Sequence, residues 1–409
     1  MKRPALPAPL WALLAGNFVI GTGVMVVPGT LNELSQSLQV GAATAGQLIT
    51  AGAIVMCLGA PLLAALVAGW DRRLLLAWTM LWYAGGHLLS LLMPSFAALL
   101  PVRMLTVVAP AVFTAQAAAC AGLLVPVEQR GRAVTFVFLG WSMASVLGLP
   151  IGALIGGHFG WRAAFGLIAC LSVASAAWIW LKLPSGIRPA ALSREAWGRV
   201  LKSPLLMGVV SVTALQGAGQ FVLFSYFAPI VRQGLGADAT QMGLLWAWFG
   251  ACGLFGNMVV SRYIDRIGAA RMVLVTTLLI ALSLLLWPLA MSFTTLALVL
   301  VPWGLGCFAT NSAQQARLVS LSPALAPGSV ALNSSGIYVG QAIGAAAGGW
   351  LLAHDAIGWM NWVGLATVLL AVALSVTVDH AQRRALALSP PPGRPKADRT
   401  PSGGSEYTK

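Results

Sequence analysis

The chain is 409 residues long, 58% apolar and only 8% charged. A soluble domain carries about 25% charged residues, so an ordinary soluble globular protein is excluded. Lys and Arg number 24 against 10 Asp and Glu, a formal charge of +14. The cations sit in short connectors between apolar runs, so they read as orienting charges in a bilayer and not as a nucleic-acid surface.

At roughly 20 apolar residues per crossing, twelve helices need about 240 residues, and the chain holds them with room for loops and tails. The apolar runs lack the ten-residue alternation of a β-barrel. Spans are predicted at 9–30, 42–67, 74–93, 95–124, 133–155 and 163–183. A second set follows at 205–231, 241–262, 272–291, 294–318, 329–353 and 360–379. The expected fold is an all-α membrane protein of twelve transmembrane helices.

Lys2 and Arg3 precede a first span that lacks a persuasive cleavage site and reads as retained. Pro94 and Ser95 mark a tight turn between the third and fourth spans. Residues 184–204 form the longest internal loop and the only one of soluble composition. The expected organisation is a six-helix bundle over 1–183, a cytoplasmic linker over 184–204, a second bundle over 205–380 and a tail over 381–409. Rich in Pro, Gly and Ser, that tail is expected to be disordered. The five cysteines (Cys57, Cys120, Cys170, Cys252 and Cys307) are isolated in apolar segments and read as small buried residues. No metal site and no cofactor is expected, and no phosphate-binding loop is present to use ATP.

Twelve crossings put both ends on one side. All Lys and Arg except Arg103, Arg162 and Arg232 fall in the loops and tails of that side. The positive-inside rule then places both termini and the 184–204 loop in the cytoplasm.

The halves resemble each other. Asp71-Arg72-Arg73 follows the second span, and Asp265-Arg266 follows the eighth. At nearly the same offset, Gly152, Gly156 and Gly157 of the fifth span recur as Gly344, Gly348 and Gly349 of the eleventh. Gly-Trp pairs follow both, at Gly160-Trp161 and Gly358-Trp359. A duplicated six-helix unit is the reading, and parallel halves around a midplane site are a transporter architecture.

On these residues the chain resembles the major facilitator superfamily, within it the bacterial drug/proton antiporter and sugar-efflux (arabinose efflux permease-like) branch. The resemblance rests on Asp71-Arg72-Arg73, Arg103, Arg130-Gly131-Arg132, the Gly148-Leu149-Pro150-Ile151-Gly152 segment with Gly156 and Gly157, and Gly160-Trp161-Arg162. It covers about residues 10 to 380. It implies an inner-membrane secondary transporter that exports a small neutral or amphipathic solute (drug, sugar or nucleoside-like) by alternating access, in exchange for protons. The alternative is an uncoupled facilitator or importer of a small polar metabolite. The expected partners are the solute, the lipid bilayer and protons, and the expected state is a monomer without enzymatic activity.

Asp71, beside Arg72 and Arg73, can pair across the seam between halves or with helix ends; the resemblance implies a gating role, ordinary topogenic charge being the alternative. Asp265 and Arg266 are its counterparts. Gly148, Gly152 and Gly156 share one helix face and let another helix approach, and Pro150 removes a backbone donor. Gly336, Gly340, Gly344 and Gly348 would do the same in the other half. That the first row marks efflux is implied by the resemblance alone.

Arg103 lies inside the fourth span, where an uncompensated charge is costly and reads as functional. No Asp or Glu lies in a span interior. The carboxylate carried in the first span by many proton-coupled relatives corresponds here to Val24. A proton carrier would then be His87, with a hydrogen-bonded structural His as the alternative. The cavity is sketched from Asn17, Gln116, Gln216, Gln220, Asn311, Gln314, Tyr338 and Gln341, whose amides suit a neutral polar ligand; cementing helix to helix is the alternative. Trp246, Trp248 and Trp303 form either an aromatic wall or an interfacial belt.

Overall fold

Among the described residues of the computed structural model, twelve helices are long and apolar enough to cross a bilayer. The structure describes residues 7–388 except 68, 127–128, 189–193 and 323–324; the side chains of 61, 64, 65, 131, 132, 135, 194, 265, 326, 327 and 385–388 also lie outside the description. The first six spans are Ala8–Gly29, Ala42–Leu66, Arg72–Leu91, Phe96–Leu123, Phe136–Phe159 and Trp161–Lys182. The next six are Pro204–Leu235, Ala239–Ile264, Ala269–Leu289, Phe293–Leu321, Gly328–Ala353 and Ile357–Arg384. Among the described residues there is no strand.

Local chemistry starts several of these helices. Asp71 accepts the N–H of Leu74, Ser203 that of Leu206, and Asp238 and Ser292 form reciprocal capping boxes with Gln241 and Thr295. Gly160, at φ 82°, makes the sharp turn from the fifth span into the sixth, a conformation that a Cβ disfavours.

Packing follows the repeat. The first span lies against the fifth and sixth, the third against the sixth and fourth, and the second against the fourth. Each pairing recurs six spans later: seventh with eleventh and twelfth, ninth with twelfth and tenth, eighth with tenth. The fold is therefore two pseudo-symmetric six-helix bundles. They meet along two symmetry-related seams, the second span on the eleventh and the fifth on the eighth.

The glycine rows set the tightest approaches. A Cβ at Gly148 would meet Thr22 Oγ1 at 2.0 Å and one at Gly156 would meet Thr30 Cγ2 at 2.4 Å. In the second half, a Cβ at Gly340, Gly344 or Gly348 would strike the carbonyl oxygens of Ala214, Ala218 and Val222 at 2.2–2.3 Å. Pro150 offers no N–H, and the turn just before it, Ala144–Gly148, widens into a π-helix.

Three expectations change. The last helix runs to Leu388, past the boundary at 380, and carries an i,i+4 pair, Asp379–Arg383 at 2.7 Å, on the added turn; residues 389–409, most of the expected tail, lie outside the description. The 184–204 loop contains a short helix, Arg194–Lys202, with an apolar face on Val200. Cys170 is exposed and Cys57 and Cys307 are half-buried, since apolar side chains on an outward helix face need not be enclosed.

Candidate functional site

The face where the first span begins at Ala8 is called near, and the face where it ends at Gly29 far. Arg103 lies two turns from the far end of the fourth span and is only 3% exposed. Its Nη2 donates to the Gly23 carbonyl at 2.8 Å, and its Nη1 faces His87 Nε2 at 3.4 Å. His87 Nδ1 lies 2.9 Å from the Tyr83 carbonyl. A carbonyl only accepts, so Nδ1 carries the proton and Nε2 is left to accept from Arg103. The imidazole is thus fully bonded and holds the guanidinium in place. Arg103 Nε has no hydrogen-bond partner.

Arg103 opens on a narrow cleft at the seam, lined also by Val24, Leu48, Gly52, Met56 and Gln341. Gln341, from the eleventh span, brings the second half to the arginine of the first. Tyr338, one turn away, packs against Met56, Val107 and Ala111. Gln116 and Gln216 are buried, and Gln216 Nε2 is without a partner.

The remaining candidates cement helices. Asn17 Nδ2 donates to the Val137 carbonyl at 3.1 Å, tying the first span to the fifth. Trp303 Nε1 donates to Gln220 Oε1 at 3.2 Å. Thr213 donates to Asn333 Oδ1 at 2.6 Å, Asn333 Nδ2 to Asn311 Oδ1 at 3.1 Å, and Gln314 Nε2 to Thr213 Oγ1 at 3.2 Å. One amide network thereby joins the seventh, tenth and eleventh spans. Trp246 and Trp303 are buried in a cluster with Phe224, Phe227 and Phe249. Trp248 is exposed.

At the far face Arg232, ending the seventh span, pairs with Glu33 of the helix Leu31–Ser37 at 2.6 Å. This clasp crosses between the halves. The glycines of the eighth span seal the adjoining seam: a Cβ at Gly250 would lie 2.5 Å from the Ser145 carbonyl. Arg162 stays within the first half, donating to the Leu91 and Met93 carbonyls at 3.1 and 2.9 Å.

At the near face Asp71 caps the third span and accepts from the Gly186 N–H, and Arg72 N–H donates to the Ile187 carbonyl at 3.0 Å. Of the two pairings open to Asp71, the described contacts include a helix end, the start of its own helix, and add the linker at Gly186. Partial burial pushes its pKa up, but the N–H groups of Gly186, Leu74 and Arg73 and the charge of Arg188 outweigh that and hold it below the ordinary carboxylate value. Arg73 stacks over Trp180 with 4.6 Å from guanidinium carbon to ring centroid. Arg266 is exposed, and the Asp265 side chain lies outside the description.

Arg317, grouped by charge with the loop cations, lies inside a helix. The tenth helix continues to Leu321 and buries Arg317 to 1% exposure, its Nη1 donating to Ser375 Oγ at 3.0 Å. The signal was present in the apolar Leu318, Val319 and Leu321 beyond it. Among the described residues no cluster of His, Cys, Asp or Glu could hold a metal ion.

A sequence model described as Major Facilitator Superfamily matches residues 13–329 and 209–402. The chain is 26% identical over 376 residues to the uncharacterized MFS-type transporter YbcL of Bacillus subtilis (strain 168), covering 91% of this chain and 96% of that protein. It is 33% identical over 265 residues to a chloramphenicol resistance protein of Streptomyces lividans, covering 64% and 68%. The crystal structure of a bacterial homolog of the human lysosomal transporter Spinster, inward-facing and unoccupied, superposes with a TM-score of 0.72 at 16% identity, covering 95% and 100%. That of a D-xylose-proton symporter also gives 0.72, at 18% identity, covering 90% and 96%.

Proposed function

Since the chain belongs to the Major Facilitator Superfamily, we propose that this membrane transporter exports a small neutral or amphipathic solute by alternating access, in exchange for protons. The observation that carries the alternating-access reading is the arrangement of the two seams. They close at the far face under the Glu33–Arg232 clasp, while Arg103, Gln341 and the unpartnered amide of Gln216 stand behind that closure. Rocking of the halves, 1–183 against 205–380, would break the clasp and expose the same polar groups to the other side. The positive-inside charge assigns the near face to the cytoplasm of a bacterial inner membrane, and closure at the far face then corresponds to an inward-facing arrangement. The protein works as a monomer in this reading, each chain holding its own pair of seams.

Efflux is supported by the glycine-proline row at 148–156 and by the similarity to a chloramphenicol resistance protein. Chloramphenicol is therefore the first probe, and a pentose the second. Cells expressing the protein should accumulate less of one of these than cells lacking it, and equal accumulation of every probe tested would remove the export reading. Arg103 is assigned to coupling, with His87 as the group that positions it and Asp71 as the near-face gate.

One observation favours a second reading, transport without proton coupling: no Asp or Glu lies in the interior of a span, Asp379 standing at the near-face end of the twelfth. Vesicles with an imposed pH gradient separate the two. An uncoupler should collapse a proton-driven solute gradient and leave a facilitated one unchanged.

The clasp has its own test. Arg232→Glu should slow flux about fivefold, the weight of roughly 1 kcal/mol, and adding Glu33→Arg should restore it. Wild-type flux in the single variant would detach the clasp from the transport cycle.

A further inference from the structure

Away from the seams, a pocket of about 280 Å3 opens at the near face of the second half. It is slightly smaller than the roughly 300–1,000 Å3 of sites that enclose whole drug-sized ligands, and its size suits a headgroup. Its walls are the start of the ninth span, Arg317 from the tenth, and Asp379 and Arg383 from the twelfth.

The ninth span begins at Ala269 after Gly268, which has φ 91°, and no side chain caps it. Its first backbone bond runs from Met272 N–H to the Gly268 carbonyl at 3.1 Å. The N–H groups of Ala269, Ala270 and Arg271 therefore lack an acceptor within their own helix, and all three residues line the pocket. The corresponding helix start in the first half is closed by the carboxylate of Asp71.

A second, independent feature is Arg317. It is 1% exposed, its two terminal nitrogens are held by Ser375 at 3.0 and 3.3 Å, and its Nε has no hydrogen-bond partner. Charge completes the case. Arg271, Arg317 and Arg383 line the pocket against one lining carboxylate, Asp379, which Arg383 already engages at 2.7 Å.

We propose that this pocket binds a phosphate group, carried by an anionic phospholipid headgroup or by a soluble phosphate. A tetrahedral oxyanion takes N–H donors from a helix start and from guanidinium groups at once, and a basic recess among helix ends is where leaflet headgroups lodge. Such a ligand would tie the bases of the ninth, tenth and twelfth spans together.

The test is thermal unfolding of the purified full-length protein at fixed ionic strength with dihexanoylphosphatidylglycerol, dihexanoylphosphatidylcholine or inorganic phosphate. Phosphatidylglycerol should raise the unfolding temperature saturably, and Arg271→Gln should weaken its apparent affinity about tenfold. Arg271 is exposed, so that variant remains informative even if Arg317→Lys fails to fold. A response to inorganic phosphate as well assigns the site to the phosphate itself; a response to phosphatidylglycerol alone assigns it to the lipid. The proposal is overturned if neither probe gives a saturable shift, if phosphatidylcholine acts equally, or if Arg271→Gln responds like the wild type.

Discussion

The glycine rows of the fifth and eleventh spans occupy matching places in the repeat, yet they meet their partners differently. In the eleventh span, Gly340, Gly344 and Gly348 press on backbone carbonyls of the seventh. In the fifth, Gly148, Gly152 and Gly156 receive the side chains of Thr22, Val26 and Thr30. Backbone against backbone leaves nothing that can rotate away, whereas a threonine or valine has other rotamers. The same small-residue spacing thus makes a rigid contact in one half and an adjustable one in the other. The adjustable one adjoins the π-helical turn at Ala144–Gly148.

This contrast is sharpest where a Cβ has no escape. Gly344→Val should cost about 3 kcal/mol or more, because its Cβ would lie 2.3 Å from the Ala218 carbonyl; loss of the monodisperse peak in detergent is the expected readout. Gly148→Ala should cost about 1–3 kcal/mol, and Thr22→Ala should recover part of it, since the clash is with Thr22 Oγ1 at 2.0 Å. A double-mutant cycle on unfolding temperature measures that coupling. Absence of any recovery would place the clash on backbone and erase the distinction between the rows.

The two matching helix starts at the near face differ as well. Asp71→Ala should cost about 1 kcal/mol by removing the cap of the third span, while Asp71→Asn can keep that cap through its one oxygen but loses the bond from Gly186 N–H. Flux lost in the Asn variant with the helix cap retained would then report the charge and its link to Gly186, as a gate requires. The Asp71 pKa is depressed in the folded protein. Its stabilisation is accordingly full above the ordinary carboxylate range and fades as pH falls through the lower folded value; the Asn variant should lack this component of an acid-unfolding curve. The smallest effect is expected at Gly152→Ala, within about 1 kcal/mol of wild type and of either sign. Its Cβ would make an ordinary contact with Val26 Cγ2 at 3.5 Å, and a helical Ala offsets that by up to about 1 kcal/mol.

Much of the site could be read from residue order. Arg103 stood out because a cation inside an apolar run has few explanations, and Gly148, Gly152 and Gly156 because spacing by four puts them on one face. The partners were out of reach. Nothing in the sequence near Arg103 indicates that His87 and the Gly23 carbonyl hold it, or that Gln341 of the other half faces the same cleft. The polar candidates illustrate the same limit: Asn17, Gln220 and Gln314 look like Gln216 and Gln341 along the chain. They differ in tying helices together by hydrogen bonds, although Asn17 Oδ1 and Gln314 Oε1 are left without a partner.

Composition settled the number of crossings and the helical class, since a bilayer demands about 20 apolar residues per crossing and satisfies backbone groups only within helices, and the repeated motifs pointed to the duplication. Those are properties of segments, and segments can be read one at a time. Which buried polar groups remain unpartnered, which seam is closed and which arginine is enclosed are properties of pairs far apart in the chain. Arg317 became a buried cation only when Ser375 met it, and Glu33 became a clasp only when the second half carried Arg232 to it. Packing made those decisions, because a side chain's cost or use in a membrane depends on the neighbour that meets it.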